Sequence, residues 1–196
     1  RPVTALTHSA RLSGAGTGIE ALRDGHDRPQ ANVRHGWQGP LGAAIEMTWP
    51  EPVTVGGLRI VFDSDLNQHK RMPCSFPLKG NQGGVPASMI RKYRIEACQA
   101  DGSWSVIYRA ADSYQRLARI PLNVRTQALR VIPEETWGVT EARIVSIDAL
   151  AEMPAPIGEV PAGQPWLQRV ACIPPQDLAE PQSGLEATGG RQRSGA

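Results

Sequence analysis

Apolar and polar residues alternate along several short segments of the chain, a pattern typical of half-buried β-strands. Proline cannot donate to a sheet ladder, so Pro50 and Pro52 are expected to end the first of these strands. Further strands are predicted over residues 117–122, 128–132 and 142–150. The positions predicted to face the core are Ala43, Ile45, Met47 and Trp49, then Leu58, Ile60 and Phe62, and later Tyr93, Ile95, Ala97, Trp104, Val106 and Tyr108.

Short strands at regular spacing, separated by turn residues, predict an all-β protein with an antiparallel β-sandwich of the jelly-roll type. The sequence Ala100-Asp101-Gly102 supplies one hairpin signal. The sandwich is expected over residues 1–150. Seven of the 17 prolines follow residue 150, where the apolar residues lose their period, so residues 151–196 are expected to form an extended or disordered tail.

No strand pattern is found between residues 66 and 90. This segment is far longer than the usual connection between strands, which has about 4 to 6 residues. Loops of this length are usually functional, disordered or interfacial. We therefore expect an interface here, formed by its many polar side chains. The candidate interface residues are Asp63, Asp65, Asn67, His69 and Arg71.

Charge narrows the choice of partner only slightly. The chain has 21 basic and 19 acidic side chains, a net charge of +2, which does not favour nucleic acid or an anionic membrane as the main partner.

The three cysteines, Cys74, Cys98 and Cys172, cannot all pair within one chain. Reduced thiols are expected, which slightly favours the bacterial cytoplasm over secretion.

Motifs for catalysis are missing from the sequence. The glycines of residues 14–18 give G-x-G-x-G without a βαβ pattern, so a turn is predicted rather than a phosphate loop. No G-x-S-x-G elbow is present, and no catalytic residue is assigned. The four histidines, at positions 8, 26, 35 and 69, lack the spacing of a zinc motif.

Asp24 and Asp27 are candidate metal ligands, because closely spaced carboxylates and turn carbonyls suit a hard cation such as calcium. The alternative is an Asp-Gly turn without an ion.

Arg28, Trp37 and Trp137 are candidate ligand-binding residues. Both tryptophans lie in glycine-containing segments without strand character, where an exposed indole would offer a stacking face to a sugar ring. Core or turn packing is the competing interpretation. Trp49 and Trp104, in contrast, lie in phase with apolar strand faces and are expected to be buried.

Residues 101–104, 128–132 and 142–147 resemble the discoidin, or coagulation-factor C-type, module of the galactose-binding-like fold. Residues 21–27 with Gly36-Trp37 look like the first loop of that family. The resemblance implies an eight-stranded jelly roll over residues 7–150, with binding loops at one end. The family pattern commonly has a glutamate in the last strand that helps to hold a structural calcium, and Ser146 stands at the matching position here.

A narrower resemblance lies in residues 62–67, 71–78 and 85–96, which look like the C-terminal domain of bacterial FAD-dependent oxidoreductases. It implies a non-catalytic accessory domain that packs on a flavin domain upstream in the same chain, where the FAD would be bound. The alternative is a carbohydrate-binding module that recognises glycans through its loop tips, around Asp24, Arg28, Trp37 and Trp137.

Overall fold

The computed structural model describes residues 2–28, 35–65 and 85–153. Their regular secondary structure is almost entirely β, as predicted, with 57% of the residues in strands and one short helix. The predicted tail lies outside the described residues from position 154 onward and stays a prediction. The elements are α1 (Ala5–Ser9), β1 (Arg11–Gly14), a 3-10 turn (Ile19–Arg23), β2 (Trp37–Pro40), β3 (Ile45–Phe62), β4 (Ile90–Cys98), β5 (Trp104–Ala110), β6 (Leu117–Thr136) and β7 (Glu141–Leu150).

One antiparallel sheet curls on itself, because β3 and β6 are long enough to contribute to two layers. The first half of β3 pairs with β1 and with the second half of β6, which continues to β4 and β5. The second half of β3 pairs with β7 and with the first half of β6, and β2 extends this layer beyond β7. The predicted β-sandwich is therefore confirmed.

Side chains with a period of two meet between the layers in one apolar core. Ile45, Leu58, Phe62 and Ile95 are all fully buried, as their alternation predicts. Trp49 is buried as well, and its indole N–H donates to the Leu6 carbonyl at 2.9 Å. Burial of apolar area of this kind supplies the main stabilisation of the domain.

The predicted end of a strand at Pro50 is wrong, since β3 continues through both prolines to Phe62. The ladder to β6 is interrupted between Thr48 and Val53, so the prolines lie where no backbone donor is required. The extended backbone then passes from one layer to the other. In the same way, residues 117–122 and 128–132 belong to a single strand, β6.

Val106 was expected to face the core and instead is 43% exposed. A register shift between Ile95 and Glu96 places Ile95 opposite Tyr108 but Glu96 opposite Val106. Because of this irregularity, the side chains of β5 before and after it that would share one face of the strand point to opposite faces. Trp104 is likewise only partly buried, and the Arg130 guanidinium carbon lies 3.6 Å from the centre of its ring.

Several loops meet at one end of the sandwich. Phe62, Leu117 and Ile144 lie side by side at the end of one layer, and Ile90 pairs with Thr136 at the end of the other. We call this the loop end; its described residues are 24–28, 63–65, 85–89, 111–116 and 137–140. The hairpin turn of residues 99–103 lies at the opposite end.

Neither the cysteines nor the helices decide the compartment. Cys98 carries a free thiol, while Cys74 and Cys172 lie outside the described residues. No helix in the described part of the chain has the length and apolar character needed to cross a bilayer. Localisation therefore stays a prediction.

Candidate functional site

Two aromatic side chains are exposed at the loop end, Trp137 at 37% and Tyr114 at 66%. Trp137 follows β6, and its backbone N–H donates to the Met89 carbonyl at 3.0 Å. Its indole N–H donates to the carbonyl of Ser113 at 2.7 Å, which links Trp137 to the loop that carries Tyr114. Of the two interpretations left open for Trp137, exposure is the one observed, and the residue is held in one orientation at both its backbone and its ring.

Arg91 stacks on Trp137, with the guanidinium carbon 4.8 Å from the ring centre. Asp112 accepts from Arg91 Nε at 2.8 Å, and Glu135 accepts from Arg91 Nη1 at 2.9 Å. The hydrogen bond with Asp112 is the main reason that the pKa of Arg91 is raised. Lys92 Nζ lies 2.5 Å from Glu135, and its hydrogen bond lowers the pKa of Glu135. Trp137 is therefore bordered by charged groups that can bond hydroxyls.

A groove of about 280 Å³ runs beneath the loop between β5 and β6. Tyr93 and Tyr108 form part of its wall, with ring centres 5.9 Å apart. Burial raises the pKa of Tyr93 far above its ordinary value of 10, and the neighbouring Tyr108 adds to this shift. The Tyr93 phenol is therefore a neutral hydrogen-bonding group at physiological pH. The polar and aromatic residues lining the groove are Tyr93, Tyr108, Asp112, Ser113, Tyr114, Gln115 and Arg119.

A second group of charged residues surrounds Asp27. Arg59 donates to both carboxylate oxygens, at 3.0 and 2.7 Å, and Ser146 Oγ donates to Oδ1 at 2.8 Å. Arg116 donates to the Asp27 backbone carbonyl. Burial lowers the pKa of Arg116, and the positive charge of Arg28 lowers it further. Arg28 itself is exposed.

These contacts bear on the expected calcium ligands. Calcium takes about 6 to 8 oxygen ligands, whereas both carboxylate oxygens of Asp27 receive donors from Arg59. Asp24 is not part of that group; its Oδ1 lies 3.3 Å from His26 Nδ1 and 3.1 Å from His35 Nε2. The donors around the two aspartates therefore do not fit one calcium ion.

Of the two interpretations left open for Trp37, a ligand platform or core packing, the structure agrees with core packing, and Trp37 is not an exposed candidate ligand-binding residue. It begins β2 and is only 1% exposed, with its indole N–H donating to the Ala15 carbonyl at 3.0 Å. The glycine turn packs on the indole: a Cβ on Gly16 would lie 2.8 Å from Trp37 Nε1. Neither face of a ring so deeply buried is available to a ligand.

The expected interface residues fall into two groups. Asn67, His69 and Arg71 lie outside the described residues. Asp63 Oδ1 accepts the backbone N–H of Asp65 at 2.8 Å, while Asp63 Oδ2 lies 3.9 Å from Arg143 Nη1. Asp63 therefore helps to order the loop end itself, and an interface role stays a prediction.

Sequence reasoning missed Tyr114, Arg91 and Asp112 as candidate site residues. The available signal was Tyr114, an aromatic residue in the polar segment Asp112-Ser113-Tyr114-Gln115 between two strands. Such a residue in a short loop has little apolar surface to pack on. Arg91 carried no signal, because its contact with Trp137 joins positions that are distant in sequence.

Neither a protein-family model nor a curated protein matches the sequence. Solved structures do match. The family 32 carbohydrate-binding module of Streptococcus pneumoniae EndoD has a TM-score of 0.54 at 15% identity, over 73% of this chain and 96% of that one. The family 32 module of Clostridium perfringens NanJ, solved with galactose, has a TM-score of 0.51 at 12% identity, over 73% of this chain and 94% of that one. A chitosan-binding module from Paenibacillus sp. IK-5 has a TM-score of 0.51 at 14% identity, over 74% and 97%.

At these identities the similarity shows the fold, which is the galactose-binding-like jelly roll. The expected resemblance to that fold is confirmed. The resemblance to FAD-dependent oxidoreductases receives no support from the same structures.

Proposed function

We propose that this domain is a carbohydrate-binding module that binds glycans at the loop end, with Trp137 as the main stacking platform. The observation that carries the proposal is the exposure of Trp137 at 37% in an orientation held by the Met89 and Ser113 carbonyls. The shared fold supports the proposal, since the similar structures include a module solved with galactose and one described as chitosan-binding.

A fixed indole favours sugar binding for a thermodynamic reason. A ligand that stacks on a free side chain must also offset the entropy lost when that side chain is ordered, about 0.5–1.5 kcal/mol. The contacts of Trp137 with Met89, Ser113 and Arg91 are already formed in the protein. Little additional ordering is therefore required when a sugar ring packs on the indole.

Polar groups beside the indole would orient the sugar. Arg91 and Asp112 form a charge-assisted pair next to Trp137, and charged partners make stronger hydrogen bonds to hydroxyls than neutral ones. Tyr114 and the groove beneath it would contact a second sugar unit. Arg28, an exposed residue of the loop end, is proposed to add a further donor.

The test is a glycan panel titrated against the full chain by calorimetry, followed by Trp137→Ala on the best ligand. We expect at least about a ten-fold loss of affinity, which corresponds to about 1.4 kcal/mol and is within the range for a lost stacking contact with its buried area. Trp104→Ala is the matched control, because Trp104 is also partly buried and stacked by an arginine but lies at the opposite end. The affinity of the Trp104→Ala variant for the same glycan should equal that of the unchanged protein.

Tyr114→Ala provides a second probe with little risk to folding, since the side chain is 66% exposed. We expect a smaller loss of affinity and an unchanged melting temperature. Val106→Ala, another exposed side chain away from the loop end, serves as its control. Glycan binding at the loop end would be refuted if no glycan of the panel bound the protein. It would also be refuted if Trp137→Ala and Trp104→Ala bound the best glycan with equal affinity.

A role in packing on a flavin domain is not proposed as a second function. It rests on the resemblance of residues 62–67, 71–78 and 85–96, and much of that stretch lies outside the described residues. The similar solved structures give it no support.

A further inference from the structure

Two histidines and one aspartate meet directly after the 3-10 turn. Asp24 Oδ1 lies 3.1 Å from His35 Nε2 and 3.3 Å from His26 Nδ1. The three potential ligand atoms all lie within 4.8 Å of one another. The two imidazole rings pack edge to face, with centres 5.4 Å apart. The fold thus brings together three side chains of the type that bind transition metals.

The spacing of these atoms suits a tetrahedral ion. Nitrogen and oxygen ligands lie about 2.0–2.1 Å from zinc, so two of them in a tetrahedral arrangement are roughly 3.3 Å apart. Both distances from Asp24 Oδ1 are close to that value. A small movement of the two rings would complete the geometry, and a fourth position would be left for water.

Asp24 is prepared for this role by its surroundings. Its Oδ1 accepts the backbone N–H of His26 at 3.0 Å, which fixes the carboxylate relative to the following ring. In the part of the chain that the structure describes, the ion pairs of Asp24 are with histidines and with no arginine or lysine. Arg59 pairs with Asp27 instead. A metal would therefore not have to displace from Asp24 any arginine or lysine that the structure describes.

The chemistry of the donors selects the class of metal. Imidazole is a poor ligand for calcium or magnesium, which prefer oxygen, and a good one for zinc, copper, nickel and cobalt. The site differs from sequence motifs for zinc because Asp24, His26 and His35 have no motif spacing. It differs from the proposed glycan site because it contains neither Trp137 nor Tyr114.

We propose that Asp24, His26 and His35 form a binding site for a divalent transition metal ion, and that this ion is zinc. A bound ion would join residues 24–26 of the loop end to residue 35 and so tie together two parts of the chain. It would stabilise the native state, because a ligand that binds only the folded protein shifts the unfolding equilibrium.

The experiment titrates the metal-free full chain with zinc chloride by calorimetry and with cobalt chloride by visible absorption. We expect one ion per chain, a rise in melting temperature with zinc, and the absorption bands of tetrahedral cobalt. His35→Ala and His26→Ala should each weaken zinc binding about ten-fold or more, since even outer-shell partners of a metal site cost 10–100-fold. Calcium chloride should not replace zinc.

His8→Ala is the matched control for the two histidine variants, because His8 lies on α1 and is not part of the cluster. It should retain the affinity and the cobalt spectrum. Asp24→Asn keeps an oxygen acceptor for the His26 N–H but removes the charge, so it tests the carboxylate without removing the turn. Melting curves without metal establish that each variant is folded. Undiminished zinc affinity in folded His26→Ala and His35→Ala, or no zinc binding by the parent chain, would overturn the proposal.

Discussion

Arg59 binds Asp27 through two parallel hydrogen bonds, from Nη1 to Oδ1 at 3.0 Å and from Nη2 to Oδ2 at 2.7 Å. Arg59 belongs to β3, and Ser146 of β7 donates to the same carboxylate. One carboxylate therefore attaches the loop of residues 24–28 to two neighbouring strands. Paired hydrogen bonds between a guanidinium and a carboxylate are strong and geometrically specific.

Arg59→Ala should lower the free energy of unfolding by about 1–3 kcal/mol, because Asp27 would remain largely desolvated without its charged partner. We expect a value near the lower limit, since both side chains are partly exposed, at 18% and 27%. Urea unfolding measures the difference. Arg119→Ala is the control, since Arg119 lies opposite Arg59 on β6 but is exposed. A loss no larger than the control's would contradict a stabilising role for the pair.

Calcium should have little effect on thermal stability. The carboxylate of Asp27 is bound by Arg59 and Ser146, so it is not available to a cation that requires several oxygen ligands. Melting temperatures of chelator-treated protein with and without millimolar calcium chloride provide the measurement. A calcium-dependent rise that Asp27→Asn removes would instead identify this aspartate as a calcium ligand.

Gly16→Ala should destabilise the domain more than Gly42→Ala. Both glycines have positive φ, 117° and 82°, so alanine is strained at either position, at a cost of about 1–2 kcal/mol. Only at Gly16 would the new Cβ also meet other atoms, lying 2.3 Å from the Gln38 carbonyl oxygen. Around Gly42 the space is open. Chemical denaturation of the two variants tests this, and equal losses would show that Trp37 and its turn adjust freely.

Glu135 should titrate below its ordinary pKa of 4.5, chiefly because of the hydrogen bond from Lys92. A lowered pKa in the folded state means that the pair adds stability above about pH 4.5 and that this is lost as the pH falls through the lower value. Lys92→Met should raise the pKa of Glu135, whereas Lys92→Arg should not. NMR titration of the Glu135 carboxyl gives both values, and no change in Lys92→Met would exclude Lys92 as the cause.

The alternation of apolar and polar side chains predicts the strands, because a strand of a sandwich buries every second residue along its length. Ile45, Met47 and Trp49 follow this rule and are buried. The rule fails at Val106, where an irregular pairing between β4 and β5 changes the phase. It also says nothing about Trp37, whose burial depends on a turn some 20 residues earlier in the chain.

The class of the fold could be predicted from the sequence alone, because alternation and turn residues act locally and most of the long strands carry their own pattern, whereas the short strand β2 does not. The grouping of polar and aromatic residues into sites depends instead on the three-dimensional fold. Trp137 meets Arg91 and Ser113 because strand ends and loops from distant parts of the chain converge at one end of the sandwich. Asp24 meets His35 because the segment that follows the 3-10 turn brings residue 35 back to residue 24. No regular spacing in the sequence predicts such contacts, since they depend on how the two layers close over the core.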